Sequence, residues 1–241
     1  MNADVARPFL LRHAILASLG YNRQMRYADR LRAILTQDEH KVFRGLNSPK
    51  KIQDFLDSLP INFELAGETY MSPRRVLATR TAHCFEGALL AAAALAYHGG
   101  KPHLLDLRTS PNDEDHVITV FKENGRWGAI SKTNHVMLRY RDPVFKTPRE
   151  LAMSYFNEYS LADGSKNLRE YSDPIDLSKY APEKWVIAKS DLHWLVDKTD
   201  SCRHYPVAPR KNIRRLRKTD NIERKILEMT EWKKSGKGNR F

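Results

Sequence analysis

Apolar residues recur at helical spacing through residues 5–45, first as Leu10, Leu11, Ala14, Ile15 and Leu19 and then, beyond Gly20, as Met25, Ala28, Leu31, Ile34 and Leu35. Ser48-Pro49 supplies an N-cap residue and a proline at the first helical position, and predicts a short helix through Ile52, Phe55 and Leu56 that stops before Pro60. Ser72-Pro73 repeats that signal ahead of Val76-Leu77. From about residue 82 to 97 the chain has almost no polar face, and Gly99-Gly100 follow as C-cap residues. A helix of that composition is buried on most sides. The period then shortens. Residues 103–108, 117–122 and 126–131 read as strands, the last two joined by Asn124-Gly125, a type I′ hairpin signal. A shorter strand is expected at 136–140 and an extra one at 185–188, with a helix opening at Thr147-Pro148 between them and a loop-rich stretch over 161–184. Residues 210–234 carry a partial apolar stripe and read as an exposed helix or a disordered arm.

This order predicts an α+β fold: a buried helix packed on an antiparallel sheet, with helical extensions at both ends. The expected division is an N-terminal helical extension (1–47), a central domain (48–200) and a basic C-terminal tail (201–241). With 241 residues, 41% of them hydrophobic and 29% charged, the chain can bury a substantial core and does not have the composition of a disordered protein. No apolar run approaches the ~20 residues that span a bilayer, so no membrane association is expected. The N-terminal residues lack the apolar segment and cleavage site of a secretory signal. Two cysteines, Cys84 and Cys202, do not make a disulfide framework, and a reducing, cytoplasmic setting is expected.

Charge is unevenly placed. Residues 209–241 hold twelve Lys/Arg against four Asp/Glu, which accounts for eight of the twelve net positive charges. Such a tail reads as a solvated arm or a helix packing on a partner; contact with nucleic-acid phosphates is the alternative, without aromatic interleaving until Trp232. No cysteine–histidine spacing resembles a zinc site, so neither metal nor other cofactor is expected. Asp113, Glu114 and Asp115 read as a solvated acidic loop beside His116, with cation binding the alternative.

The chemistry that stands out is Cys84 at the start of the apolar helix and His116 at the start of a strand. A thiol at a helix N-terminus meets the positive end of the dipole, and a neighbouring imidazole favours the thiolate further. Such a thiolate attacks carbonyl carbon, and the helix N–H groups are placed to receive the oxyanion. The bland alternative is a small core cysteine and a surface histidine.

The segments Ser72-Pro73-Arg74-Arg75-Val76-Leu77, Arg80-Thr81-Ala82-His83-Cys84, Asp115-His116-Val117 and Gly125-Arg126-Trp127-Gly128-Ala129-Ile130-Ser131 resemble, in order and spacing, the transglutaminase-like branch of the papain-like cysteine enzymes. The resemblance covers about residues 50–135. It implies a papain-like core with Cys84 as nucleophile and His116 as base, acting on an amide or peptide bond through an acyl-thioester. A protein or peptide would then be the substrate. Ser131 stands where that family places an aspartate that orients the histidine. Ser131 therefore takes the orienting role, with Asn134 as an amide alternative, or the scaffold has lost turnover and binds a protein or nucleic acid instead. Neither the substrate nor the oligomeric state follows from the sequence.

Overall fold

The computed structural model describes residues 26–234, so the apolar positions from Leu10 to Met25 lie outside the described residues. The helical periodicity beyond them divides into α1 (Tyr27–Ala33) and α2 (Gln37–Gly45). The break falls at Thr36, whose hydroxyl accepts from Glu39 N while the Glu39 carboxylate accepts from Thr36 N, a reciprocal cap that starts a new helix. Ser48 and Ser72 cap α3 (Pro49–Asp57) and α4 (Pro73–Thr79) as their Ser-Pro pairs predict.

The apolar helix is α5 (Cys84–Tyr97). Its C-terminal end has Gly99 at φ 85°, with Gly100 N bonded to Leu95 O and Gly99 N to Ala96 O, so glycine takes the left-handed position that closes the last carbonyls. Every residue from Ala88 to Ala94 is fully buried. α1 and α2 belong to the same core rather than to a separate extension: Leu31 and Phe43 are buried in it, and Phe43 stacks on Tyr97 at 5.5 Å.

The strands are β1 (His103–Arg108), β2 (His116–Glu123), β3 (Arg126–Ile130) and β4 (Arg141–Phe145), followed by helix α6 (Pro148–Met153). The chain goes on through β5 (Glu170–Ser172), β6 (Ile175–Asp176), α7 (His193–Asp200) and β7 (His204–Pro206) to α8 (Arg210–Ile213) and α9 (Asn221–Leu227). The sheet is antiparallel in the order β4-β3-β2-β1-β5-β7, with β6 also paired to β1. Asn124 and Gly125 both have positive φ, as a type I′ turn between β2 and β3 requires. Alternate strand residues feed two cores. Leu104, Val117 and Ile130 face α5, whereas Leu105, Ile118 and Ala129 face a second cluster containing Leu151, Tyr155 and Val207. The fold is thus α+β with a mainly buried helix on an antiparallel sheet.

Three local expectations change. Residues 136–140 do not pair as a strand, and β4 begins at Arg141 instead; Leu138 has φ 60°, which is incompatible with extended pairing. Residues 185–188 form a turn after a short 3-10 helix (Pro182–Lys184), and their carbonyls dock α4: Val186 O accepts from Arg74 N and Ala188 O from Ser72 Oγ. The sheet also continues past residue 200, because β7 pairs with β5 and Val207 is buried in the second core. Among the described residues no helix is long and apolar enough to cross a membrane.

Candidate active site

Cys84 occupies the first position of α5, where the backbone N–H groups of the first turn have no acceptor within the helix. The thiol is half-buried and unpaired with the other cysteine. Two imidazoles reach it. Burial alone would raise its pKa, but hydrogen bonds to the His116 and His83 side chains, reinforced by their charge, outweigh burial and bring it down to about 5.

His116 opens β2 and is buried. Its Nε2 lies 2.8 Å from Ser131 Oγ, and the Ser131 hydroxyl itself donates to Leu138 O at 2.5 Å. The serine proton being spent on a carbonyl, Oγ accepts from His116 Nε2–H, which leaves Nδ1 for the sulfur. Ser131 is fully buried and held by its main chain: the Gln53 amide accepts from Ser131 N at 2.9 Å and donates to Ser131 O at 2.8 Å. Leu138, at positive φ, is fixed by Glu158, whose carboxylate accepts from Leu138 N at 2.8 Å. Strain held by surrounding bonds in this way is characteristic of positioned sites.

His83, the residue before Cys84, is built as a second imidazole. Its Nε2 donates to Thr69 O at 2.8 Å and faces Glu86 Oε1 at 3.4 Å and Glu64 Oε1 at 3.8 Å. Burial works against its charge, yet the hydrogen bond to Cys84, the thiolate charge and Glu86 raise its pKa to about 9. Glu86 is itself fully buried and accepts from His83 N, Met71 N, Thr69 Oγ1 and Asn62 Nδ2. The charge expected of an orienting aspartate beside His116 is thus supplied on the other imidazole.

The loop carrying Ser131 is pressed against α5. A Cβ on Gly87 would collide with Cβ of Lys132, so glycine permits the approach. Lys132 is fully buried, with Nζ on Leu56 O and Leu59 O at the C-terminal end of α3; burial lowers its pKa to about 8. Beyond it, Asn134 spends its amide on the tail: its Nδ2 donates to Trp232 O at 3.0 Å and its Oδ1 accepts from Trp232 N at 2.7 Å. The tail segment 229–232 pairs along residues 134–136, so this part of the tail is a docked strap rather than a free arm.

The structure therefore brings Cys84, His116 and Ser131 together and turns Asn134 to a structural use. His83, Gln53 and Glu86 escaped sequence reasoning. A histidine at the N-cap directly before a helix-leading cysteine was the one visible signal. Tyr159 is a further buried group, with an unpartnered hydroxyl and a pKa raised well above its ordinary value by burial and then by the charge at Cys84. A cleft of about 500 Å³ lies at the opposite end of α5, against His98 and Gly99, and does not include these residues. Comparison of the sequence with family models and with curated proteins finds no match.

Proposed function

We propose that the protein is a cysteine-dependent hydrolase or acyltransferase acting on amide or peptide bonds through an acyl-thioester at Cys84, on a transglutaminase-like variant of the papain-like core. The observation that carries this reading is one half-buried thiol at a helix N-terminus with two imidazoles on it, each fixed from behind. The thiolate attacks the carbonyl carbon, and the oxyanion forms beside the first-turn N–H groups. His116, its Nε2 held by Ser131, carries the proton taken from the thiol to the leaving amine as the C–N bond breaks and the thioester forms. Water or an acceptor amine then attacks the thioester, His116 removes its proton, and the thiolate departs. Ser131 orients the ring without charge; His83, backed by Glu86, keeps the sulfur anionic between steps.

The second reading, a binding scaffold without turnover, is favoured by one observation: the group behind His116 is a neutral hydroxyl, so an imidazolium gains no charge from it. The two readings separate by intact-mass analysis after incubation with an activated acyl ester and acid quench. The enzyme reading expects a covalent adduct that maps to Cys84, disappears with Cys84→Ala and decays on adding hydroxylamine. No adduct on folded protein sinks the enzyme and leaves the scaffold.

A further inference from the structure

On the α5-facing side of β1, three carboxylates from three separate elements converge. They are Asp106 in β1, Asp115 immediately before β2, and Asp200 at the end of α7, with one oxygen of each within 4.8 Å of the others. Asp106 is 1% exposed, and although its Oδ2 takes His204 Nε2 at 2.8 Å, its Oδ1 has no hydrogen-bond partner. A buried carboxylate oxygen left bare is costly, because its lost hydration is repaid by nothing. We infer that Asp106, Asp115 and Asp200 form a binding site for a hard divalent cation of the Ca²⁺ class. This inference is independent of the chemistry at Cys84.

Charge supports it. Arg108 is the nearby fixed cation, and it is divided: Nε stands 3.7 Å from Asp115, Nη1 is on Glu170, and Nη2 is on the Asp200 main-chain oxygen. His204 sits between Asp106 and the Cys202 carbonyl. Against these stand three carboxylates and Glu170, an excess of negative charge that a divalent ion neutralises.

The donor set names the ion. All three ligands are oxygens, which suit Ca²⁺, Mg²⁺ or Mn²⁺ rather than zinc or copper. Ca²⁺ takes several protein carboxylates in a flexible shell, whereas Mg²⁺ keeps most of its waters and usually only one or two carboxylates, so a three-carboxylate set suits Ca²⁺ better. Three carboxylates, two of them solvent-accessible, leave positions for water and place the affinity in the weak range, on the order of 10⁻⁴–10⁻³ M.

The test is isothermal titration of the full chain with CaCl₂ and, separately, MgCl₂ at fixed ionic strength, with circular dichroism to confirm folding. Wild type should bind one Ca²⁺. Asp200→Asn and Asp115→Asn should each weaken binding at least tenfold, while Asp197→Asn, on the same helix but outside the set, should leave it unchanged. Asp200→Asn changes a surface residue and keeps the test valid should Asp115→Asn misfold. Absence of saturable binding by folded wild type, or binding insensitive to Asp200→Asn, overturns the site. Tighter binding of Mg²⁺ than Ca²⁺ overturns the assignment of the ion.

Discussion

The two cysteines of this chain each sit beside histidine, and the less promising of the two on paper is the activated one. Cys202 Sγ is 4.0 Å from His204 Nδ1, and His204 Nε2 is 2.8 Å from the buried Asp106 carboxylate, the order of groups in a Cys-His-Asp triad. Cys84 has no carboxylate behind His116, only Ser131. Yet burial and the Asp106 charge raise the Cys202 thiol, whereas the Cys84 thiol is lowered to about 5. The difference is direction. His204 Nδ1 donates to the Cys202 carbonyl at 2.9 Å, so its proton is spent on the main chain and not offered to sulfur. Cys202 also follows the C-terminal end of α7, the negative end of a helix, while Cys84 leads α5 at the positive end. A carboxylate on an imidazole does not activate a thiol unless the other ring nitrogen is turned to it.

The largest effect expected is the asymmetry of the two serine variants. Cys84→Ser should lower acyl-adduct formation by a factor on the order of 10⁴ or more, and Cys202→Ser should leave it at the wild-type level, both read by intact mass. Equal losses would erase the distinction between the two regions. Next, His116→Ala should slow acylation by roughly 10²–10⁴-fold, the usual contribution of a positioned proton carrier, whereas His204→Ala should act only on stability. A smaller and more diagnostic effect is the pH dependence of iodoacetamide labelling. Cys84 should gain reactivity as pH rises through about 5, and Cys202 only above its ordinary value near 9. Because nucleophilicity falls with pKa at a Brønsted slope of about 0.4–0.5, the two cysteines differ little near pH 7, and the preference for Cys84 reaches about tenfold only near pH 6. His83→Ala should move the Cys84 midpoint upward; an unmoved midpoint would remove His83 from the site. The His83 charge has the opposite sense, being present below about 9 and lost as pH rises through it. The thiolate therefore has its full electrostatic support only between about 5 and about 9, and turnover should fall at both ends of that window.

What the sequence shows of this site is what lies within a few residues of a motif. The apolar run fixes α5 and puts Cys84 at its head, and Asn124-Gly125 aligns β2 with β3 so that His116 and Ser131 share one end of the sheet. Both follow from local rules. The Gln53 clamp on Ser131 joins residues 78 positions apart, and nothing in either segment announces the other. The same holds for Asn134. Its amide suits an orienting role by composition, and only the docked tail shows that both its polar atoms are already taken by Trp232. The strand expected at 136–140 fails for a related reason: Leu138 gives its N–H to Glu158 and its carbonyl to Ser131, so the groups a strand would pair are committed to the site. His83 was legible as a residue and not as a function, since the carboxylates that face it, Glu86 and Glu64, come from opposite sides in the chain.

The smallest effect is also the one that separates positioning from chemistry. Gln53→Leu leaves the Ser131 N–H and C=O buried without their amide partners, each costing about 1–3 kcal/mol, so thermal stability should fall. If Gln53 only stabilised the fold, the variant at a temperature where it is fully folded would label at Cys84 with the wild-type midpoint. Because Ser131 sets the tilt of His116, the midpoint should instead rise and acylation should slow. Gln53→Glu keeps the acceptor for Ser131 N but opposes the Ser131 carbonyl with a second acceptor, and should restore little of either. Ser131→Asp completes the comparison with Cys202. It supplies the carboxylate that His204 already has, yet it removes the donor to Leu138 O and sets two acceptors face to face in a fully buried position. The variant should lose stability without gaining rate. A Ser131→Asp protein that is stable and faster would mean that charge behind the imidazole, and not its direction, limits this site.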